Sequence, residues 1–591
     1  MKNASADAAK DKTQTDHGPA DGGWRETVES IAMAIILALL FRGFIAEAFV
    51  IPTGSMAPTL RGRHKDVRCP ECGYWYQAGA SIEVDRNSGA ESNLPVVAAT
   101  CPVCYYSQEF DPSNHPNQGS FSGDRIIVSK FAYDLAEPRR WDVIVFKYPG
   151  DATQNYIKRL AGLPNETIRI WGGNIYIKKK DEAEFHIARK PPDKLNAMLQ
   201  LVHDNDYLAK DLLAAGWPAR WEEADLTSPL AQTIAPAWQK LKEGREFICD
   251  GASPREAWLR YRHILPDYKD WANVVHKSGG LRTHVAGREG ELIADFYAYN
   301  TFMTARGGSR EQLGMFWVDD LAVEALVTVE KAAGEVLLDL VRGGIHHECR
   351  IDVTTGNATL SRSGLSGDRQ GFASDDGAQA ETRTAKTSVR GAGSYRLRLS
   401  NCDHELLLWV NGKTVQFDGP TKYPSSELIA PVWTPEEPGD LQPARIGSKG
   451  AAVRVSQLRI FRDKYYIAQK NDAATKETFG SEYVGKAWNM GVDQIIDEFK
   501  EVERWPTSPV FSDRNAVEFP LDSDQFLPLG DNSPQSQDAR TWPKSDGNRI
   551  YTPNYVRRDL LIGKALFVYW PHTWNAPIPY MPNPSEMRPI R

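Results

Sequence analysis

Eleven consecutive apolar residues, Ile31 to Phe41, are broken by Arg42 and resume as Gly43 to Ile51 with Glu47 the single charge. Eleven falls short of the roughly 20 that cross a bilayer, but Thr27 to Val50 reaches that length if Arg42 and Glu47 lie near the outer interface. Two readings follow. One is a cleaved leader with Ala46-Glu47-Ala48 as a small-x-small cleavage site. The other is an uncleaved anchor that puts everything after it outside the cytoplasm. Flanking charge does not choose an orientation, because Lys2, Lys10, Lys12 and Arg25 precede the segment and Arg61, Arg63, Lys65 and Arg68 follow it. The rest of the chain bounds the answer. A mean hydropathy of -0.46 excludes a polytopic membrane protein, and 591 residues are too many for one core. A net charge of -7 leaves no basic field for nucleic acid.

Directly after the apolar segment stands Val50-Ile-Pro-Thr-Gly-Ser-Met-Ala-Pro-Thr-Leu60, in which Pro52, Gly54 and Pro58 hold Ser55 in irregular backbone. A serine becomes a nucleophile only beside a base. The chain has no GxSxG elbow and no histidine in an obvious triad context, so the alternative is a lysine, a variant of the same logic. A lysine serves as base only when burial disfavours its ammonium form. Lys158 qualifies, in the apolar stretch Asn155-Tyr-Ile-Lys-Arg-Leu-Ala-Gly-Leu-Pro164, whereas Lys178 to Lys180 read as a solvated strand end.

Ser55-Met56 beyond an N-terminal apolar segment, Gly123-Asp-Arg-Ile-Ile-Val-Ser-Lys-Phe-Ala-Tyr133, the Lys158 segment and Leu529-Gly-Asp-Asn-Ser-Pro-Gln-Ser-Gln-Asp-Ala-Arg540 together resemble bacterial type I signal peptidase, four boxes in the family's order. The resemblance covers 51–64, 119–180 and 503–575. It implies a Ser55 nucleophile, a neutral Lys158 base and an oxyanion held by the Ser55 N–H with the Thr53 hydroxyl. It also implies that Ser536 hydrogen-bonds the lysine amine, that Asp538 and Arg540 pair to brace their loop, and that Gly530, Asp531 and Asn532 shape the turn beneath it. No catalytic metal is implied. The implied substrates are signal peptides of exported preproteins, cut after small-x-small (Ala-x-Ala) sites. The implied location is the cytoplasmic (inner) membrane, single-pass, with the catalytic part on the extracytoplasmic, periplasmic side and the lipid bilayer as partner. Two departures stand between the carried-over positions: Asn165 replaces the usual glycine after Gly162-Leu-Pro, and Ser533-Pro-Gln535 replaces a charged filling.

Between the first two boxes lie Cys69-Pro-Glu-Cys72 and Cys101-Pro-Val-Cys104. Two CxxC knuckles match a closed, structural four-thiolate zinc ribbon, and disulfides are the rival outside the cytoplasm. Cys249, Cys349 and Cys402 are lone and read as small buried hydrophobes.

The region before the last box is an insertion. Leu195, Met198, Leu199 and Val202 fall at helical spacing, and Trp217, Trp221, Trp238 and Trp258 follow as core indoles. From Glu289 the period drops to two: Leu321 to Val329, Glu335 to Val341, Tyr395 to Leu399, and Leu406 to Phe417 around the hairpin turn Asn411-Gly412. Many short strands mean a β-sandwich. The Leu406–Phe417 hairpin and the strand near Val453–Phe461 resemble the concanavalin/laminin-G-like jelly roll, which implies a possible glycan or peptide ligand. Gly364 to Ala392 reads as a mobile loop, and His346-His347-Glu348 as an exposed strand end rather than a metal site.

The expected fold is mainly β: a signal-peptidase-type catalytic core after one transmembrane helix, with an inserted four-cysteine zinc ribbon and an inserted β-sandwich (jelly roll). The layout is 1–26 polar tail, 27–50 anchor, 51–64 nucleophile box, 65–118 zinc ribbon and 119–188 lysine box. It continues with 189–288 helical or irregular, 289–468 β-sandwich, 469–502 helical return and 503–591 final box. The competing expectation is a membrane-tethered extracytoplasmic binding protein whose sandwich engages a glycan or cell-wall ligand.

Overall fold

A computed structural model describes residues 23–40, 46–85, 89–223, 237–275, 290–308, 314–373, 380–424, 430–471, 478–479, 482–542, 552–574, 578 and 580–591. The protein is mainly β.

The sheet that positions the serine and the lysine is antiparallel. Its strand order is Ala46–Val50, Arg125–Ser129, Leu561–Trp570, Val143–Tyr148, Asp151–Gly162, Gln525–Leu529 and Val556–Arg557, with Arg588–Pro589 added beside Leu561–Trp570. Strands from both ends of the chain therefore share one sheet. Leu527 pairs with Gly162 and Lys564 with Ser129, so everything between is inserted into a continuous hydrogen-bonded frame. Ile126, Val128, Val143, Val145, Ile157, Met56 and Leu60 form the core on one side of this sheet. On the other side, Ile144, Phe146, Leu160, Leu527 and Leu529 pack with Ile168, Ile170 and Phe519 of a four-stranded sheet. In that second sheet the hairpin Glu166–Trp171/Asn174–Lys179 turns at Gly172 and Gly173, with φ of 55° and 80°, as a tight hairpin requires. Asn165 sits at φ 63°, the left-handed conformation that asparagine tolerates in place of glycine.

The N-terminal helix, Gly23–Leu40, leaves Ile31, Met33, Ile35, Ile36 and Leu37 each more than half exposed. Among the described residues, no helix is long and apolar enough to cross a membrane. The expected anchor over 27–50 is corrected at its far end. Ala46–Val50 is a strand paired with Arg125–Ser129, and Glu47 is held by Lys130 at 3.1 Å. Ladder pairing overrides apolar continuity there.

The inserted region is a sandwich of two eight-stranded sheets. One centres on Leu321–Val329, Gly393–Cys402 and Val453–Arg462, the other on Glu335–Arg342, Ile345–Asp352 and Ala444–Lys449. Val323, Ala325, Leu397, Leu399, Val455 and Ile460 meet Leu338, Leu340, Ile351, Leu360 and Ile446 between them. Asn411 and Gly412 take φ 51° and 76° at the expected hairpin turn.

The sandwich begins earlier than period-two patterning places it. Gln200–Asp204, Trp221–Glu223, Trp238–Leu241, Glu246–Cys249 and Glu256–Tyr261 all join its sheets, which corrects the helical or irregular reading of 189–288. Helices there are short: Pro192–Met198, Lys210–Ala214 and Tyr268–Val275. Strands of three to six residues carry too few alternations to register as a period, although Ala257, Leu259 and Tyr261 do alternate inward. Edge strands Arg369–Gln370 and Thr382–Lys386 occupy part of the expected loop over 364–392, and 374–379 lie outside the described residues.

Candidate active site

Ser55 lies in a one-turn 3-10 segment, Gly54–Met56, and is 9% exposed. Lys158 projects from the long strand Asp151–Gly162, paired on one side with Val143–Tyr148 and on the other with Gln525–Leu529. Nζ and Ser55 Oγ are hydrogen-bonded at 2.8 Å, and Nζ also donates to the Ile157 carbonyl at 2.9 Å. The lysine is 3% exposed and passes over the Tyr156 ring. A rigid two-sided strand thus aims the amine at a hydroxyl that is 103 residues away in sequence.

The loop after Gln525–Leu529 clasps the serine turn. Asn532 N–H donates to the Ser55 carbonyl at 3.1 Å, and Asn532 Nδ2 to the Gly54 carbonyl at 3.0 Å. A Cβ at Gly530 would fall 2.5 Å from the Ser55 carbonyl oxygen and 1.9 Å from Ser536 Oγ, so only glycine fits this approach. Asp538 and Arg540 form a fully buried pair at 2.8 Å, and Asp538 Oδ2 also accepts from Gly530 N–H at 2.9 Å. Their contacts bear directly on the turn beside the nucleophile.

Ser536 differs from expectation. Its hydroxyl is buried but makes no hydrogen bond among the described residues, and it packs against Gly530 instead of reaching the lysine amine. Asp531 is more than a turn residue. It receives two hydrogen bonds of 2.7 Å from Arg159, accepts from the Thr59 hydroxyl, and lies 3.6 Å from Lys464. Burial alone would raise the Asp531 carboxyl, but the Arg159 and Lys464 charges outweigh it and hold the group well below the usual carboxylate range. Burial brings the Lys464 ammonium down to about 8, with Asp531 opposing and Arg159 and Arg462 assisting.

A cleft of about 430 Å³ opens at Ser55. Thr53, Gly54 and Gln535 line it, together with Gly79, Ser81 and Ile82 from one segment and Tyr299, Phe302 and Thr304 from another. Tyr299 packs so closely on Gly54 that a Cβ there would come within 2.3 Å of the ring, and its hydroxyl donates to the Arg63 carbonyl at 3.2 Å. Residues 79–82 and 299–304 both belong to inserted segments. Sequence reading missed Tyr299, Arg159, Lys464 and Asn300, whose side-chain amide exchanges hydrogen bonds of 2.7 and 2.8 Å with that of Asn532. Arg159 carried the one available signal, its place beside Lys158 on an alternating strand.

The four paired cysteines converge. Each CxxC is the turn of a short hairpin, His64–Arg68/Trp75–Gly79 or Val96–Thr100/Ser107–Glu109. The two turns share one hydrogen-bond pattern: Cys69 with Tyr74 and Gly73, Cys101 with Tyr106 and Tyr105. Gly73 and Tyr105 take the left-handed position of each. Cys69 and Cys104 sulfurs are 3.5 Å apart and Cys72 and Cys101 sulfurs 3.6 Å, all four being free thiols. A tetrahedral ion with bonds of about 2.3 Å sets its sulfurs roughly 3.8 Å apart, so the cluster fits zinc closely. His346 and His347 do not come together as ligands. His347 is buried in the strand Ile345–Asp352, not at an exposed end, and His346 pairs with Asp339 at 2.7 Å. Cys249, Cys349 and Cys402 are buried.

A family model described as signal peptidase, peptidase S26, matches residues 96–213, a stretch that contains Lys158 but neither Ser55 nor the 529–540 loop. The chain is similar to probable signal peptidase I-2 of Synechocystis sp., 25% identical over 205 residues that cover 34% of this chain and 65% of that protein. It is similar to signal peptidase I of Leptolyngbya laminosa, 29% identical over 29% of this chain and 59% of the relative. Signal peptidase I of Pseudomonas aeruginosa is 44% identical over 28% of this chain and 41% of its own length. The chain thus spans less than two thirds of each of these relatives. Among solved structures, a galectin of Caenorhabditis elegans covers 24% of this chain and 83% of its own, at 9% identity and a TM-score of 0.16. A carbohydrate-binding module of Bacillus subtilis covers 42% and 94%, at 9% identity and a TM-score of 0.18. Likeness at that level carries no argument about a ligand.

Proposed function

We propose that this protein is a membrane-bound serine endopeptidase that removes signal peptides from exported precursors by cutting after small-x-small sites. The observation that carries the reading is the buried 2.8 Å pair of Lys158 Nζ and Ser55 Oγ, with Ser55 lining an open cleft. The amine takes the hydroxyl proton as Oγ attacks the scissile carbonyl. It then returns the proton to the leaving amine, and water repeats the cycle on the acyl-enzyme. The Ser55 N–H and the Thr53 hydroxyl, the donors that the family resemblance implies, would stabilise the developing oxyanion, each such donor being worth about 2.7–4 kcal/mol. Ser536, Asp538, Arg540 and the Gly530–Asn532 turn act as supports. The proton transfers need no metal.

Similarity to signal peptidases, through the family match over residues 96–213 and through the curated relatives, supports the substrate class. The exposed apolar side chains of Gly23–Leu40 support contact of this helix with the inner membrane, and the single pass with the catalytic part on the extracytoplasmic side is what the family resemblance implies. The four-cysteine cluster is read as a structural zinc ribbon that builds one wall of the cleft. The sandwich, jelly-roll-like in its two facing sheets, supplies Tyr299 and Phe302 through the segments that lead into it.

The test is cleavage of a precursor bearing one Ala-x-Ala site by the full chain in detergent, with the new N-terminus sequenced. A single cut after that site supports the reading, and an intact precursor under conditions where the protein is folded contradicts it.

A further inference from the structure

We propose that His64, Asp66 and His572 form a second metal site, a nitrogen- and oxygen-donor site for a divalent transition-metal ion, distinct from the four-cysteine cluster. The three donors converge from far apart in the chain. His64 and Asp66 lie on the strand His64–Arg68, and His572 follows the strand Leu561–Trp570. One ligand atom from each lies within 4.8 Å of the others. His572 Nε2 is 2.9 Å from Asp66 Oδ2, and His64 Nε2 is 3.8 Å from Asp66 Oδ1. Bonds of about 2.1 Å set neighbouring ligands roughly 3.0–3.4 Å apart, so these separations bracket what an ion between them needs.

The side chains are buried, with exposures of 0%, 6% and 1%. His64 Nδ1 lies 2.7 Å from the Gly62 carbonyl and donates to it, which turns the Nε2 lone pair towards the other two residues. Among the described residues, His64 Nε2 and both ring nitrogens of His572, the Nε2 that faces Asp66 included, make no hydrogen bond of good geometry. Buried imidazole nitrogens left in that state are rare. Outer contacts set the carboxylate: Gln77 Nε2 donates to Asp66 Oδ1 at 3.1 Å and Trp574 Nε1 to Oδ2 at 3.0 Å. Phe121 stacks on the His572 ring at 4.5 Å between centroids. This is the supported ligand set that metal sites use, and two imidazoles with one carboxylate suit zinc, iron or cobalt rather than calcium or magnesium. An open cavity of about 690 Å³, lined by His572, Phe121, Thr573 and Tyr580, gives an entry path and room for water as a further ligand. An ion here would tie the C-terminal segment to the strand that leaves the serine loop, where Arg63 N–H already bonds the Pro52 carbonyl.

The test is metal content of the full chain in detergent after equilibration with zinc and removal of unbound ion. Each of His572→Ala and Asp66→Ala holds one zinc per chain fewer than wild type. In the cobalt-loaded protein both keep the thiolate charge-transfer absorption of the cysteine cluster. If His572→Ala fails to fold, His572→Gln keeps more of the ring's volume and shows the same loss. Equal zinc content in wild type and the folded variants overturns the proposal and leaves a metal-free His–Asp–His cluster. Because the readout is metal bound, it is independent of peptidase activity.

Discussion

Arg159 and Asp531 meet through two hydrogen bonds of 2.7 Å with neither side chain exposed, one residue along from Lys158 on the same strand. Because side chains alternate along a strand, the residue that faces the serine and the residue that anchors the opposing loop are neighbours in sequence. Asp531 also accepts from Thr59 of the serine loop, so one carboxylate joins the three segments that build the site.

Breaking that pair leaves a buried, unmatched charge, which typically costs about 3–5 kcal/mol. Arg159→Met is expected to lower unfolding free energy by that order in denaturant titration and to reduce turnover sharply. The double variant Arg159→Met/Asp531→Leu removes both partners and leaves Lys464, 3.6 Å from Asp531 in the wild type, without that carboxylate, so it is expected to recover part of the stability and little of the activity. Equal stability of wild type and Arg159→Met would contradict this role.

Lys464 gives a pH signature. Its folded value of about 8 lies below the ordinary lysine value of 10.5, so between those limits the unfolded chain binds the extra proton. Its contribution to stability is complete above the unfolded value and is lost as the pH falls through about 8. Lys464→Met is therefore expected to be favoured relative to wild type at neutral pH, by a margin on the order of a few kcal/mol that shrinks as the pH rises towards 10. Paired denaturation curves across that window check it, and a margin independent of pH would contradict it.

Tyr299 and Gly54 are matched surfaces. A side chain at Gly54 meets the Tyr299 ring at 2.3 Å, so Gly54→Ala is expected to displace the serine turn and cost about tenfold or more in kcat/KM. Gly54→Ala/Tyr299→Ala is expected to regain part of it. Failure of the second change to restore any rate would mean that the glycine serves some other purpose.

Chelation separates structure from chemistry. Removing metal from the cysteine cluster is expected to lower the thermal midpoint, because ion-binding energy at a closed site is folding energy. Cys69→Ser is expected to reproduce that loss while the dyad remains chemically intact. A midpoint unmoved by chelator would argue against bound zinc.

Short-range signals were legible in the sequence. The Asn411-Gly412 turn, the two CxxC knuckles and the proline- and glycine-framed Ser55 each specify local backbone. Asp538 and Arg540 were legible as a pair only through the family resemblance, and the structure holds them together at 2.8 Å. What was hidden depends on distant segments. Tyr299 reaches the Arg63 carbonyl across 236 positions, and Lys464, just beyond the sandwich strand Val453–Arg462, lies 3.6 Å from Asp531. Ser536 was expected to hydrogen-bond the lysine amine, but its hydroxyl makes no hydrogen bond among the described residues and packs close to Gly530. The five early sandwich strands escaped notice because each is too short to show a period.

The central claim is that Ser55 is the nucleophile and Lys158 its base. Cleavage of an Ala-x-Ala precursor by wild type, Ser55→Ala and Lys158→Ala, each verified as folded, tests it most directly. The account predicts one cut by wild type and none by either variant. Cleavage that persists in both variants would place the chemistry on other residues.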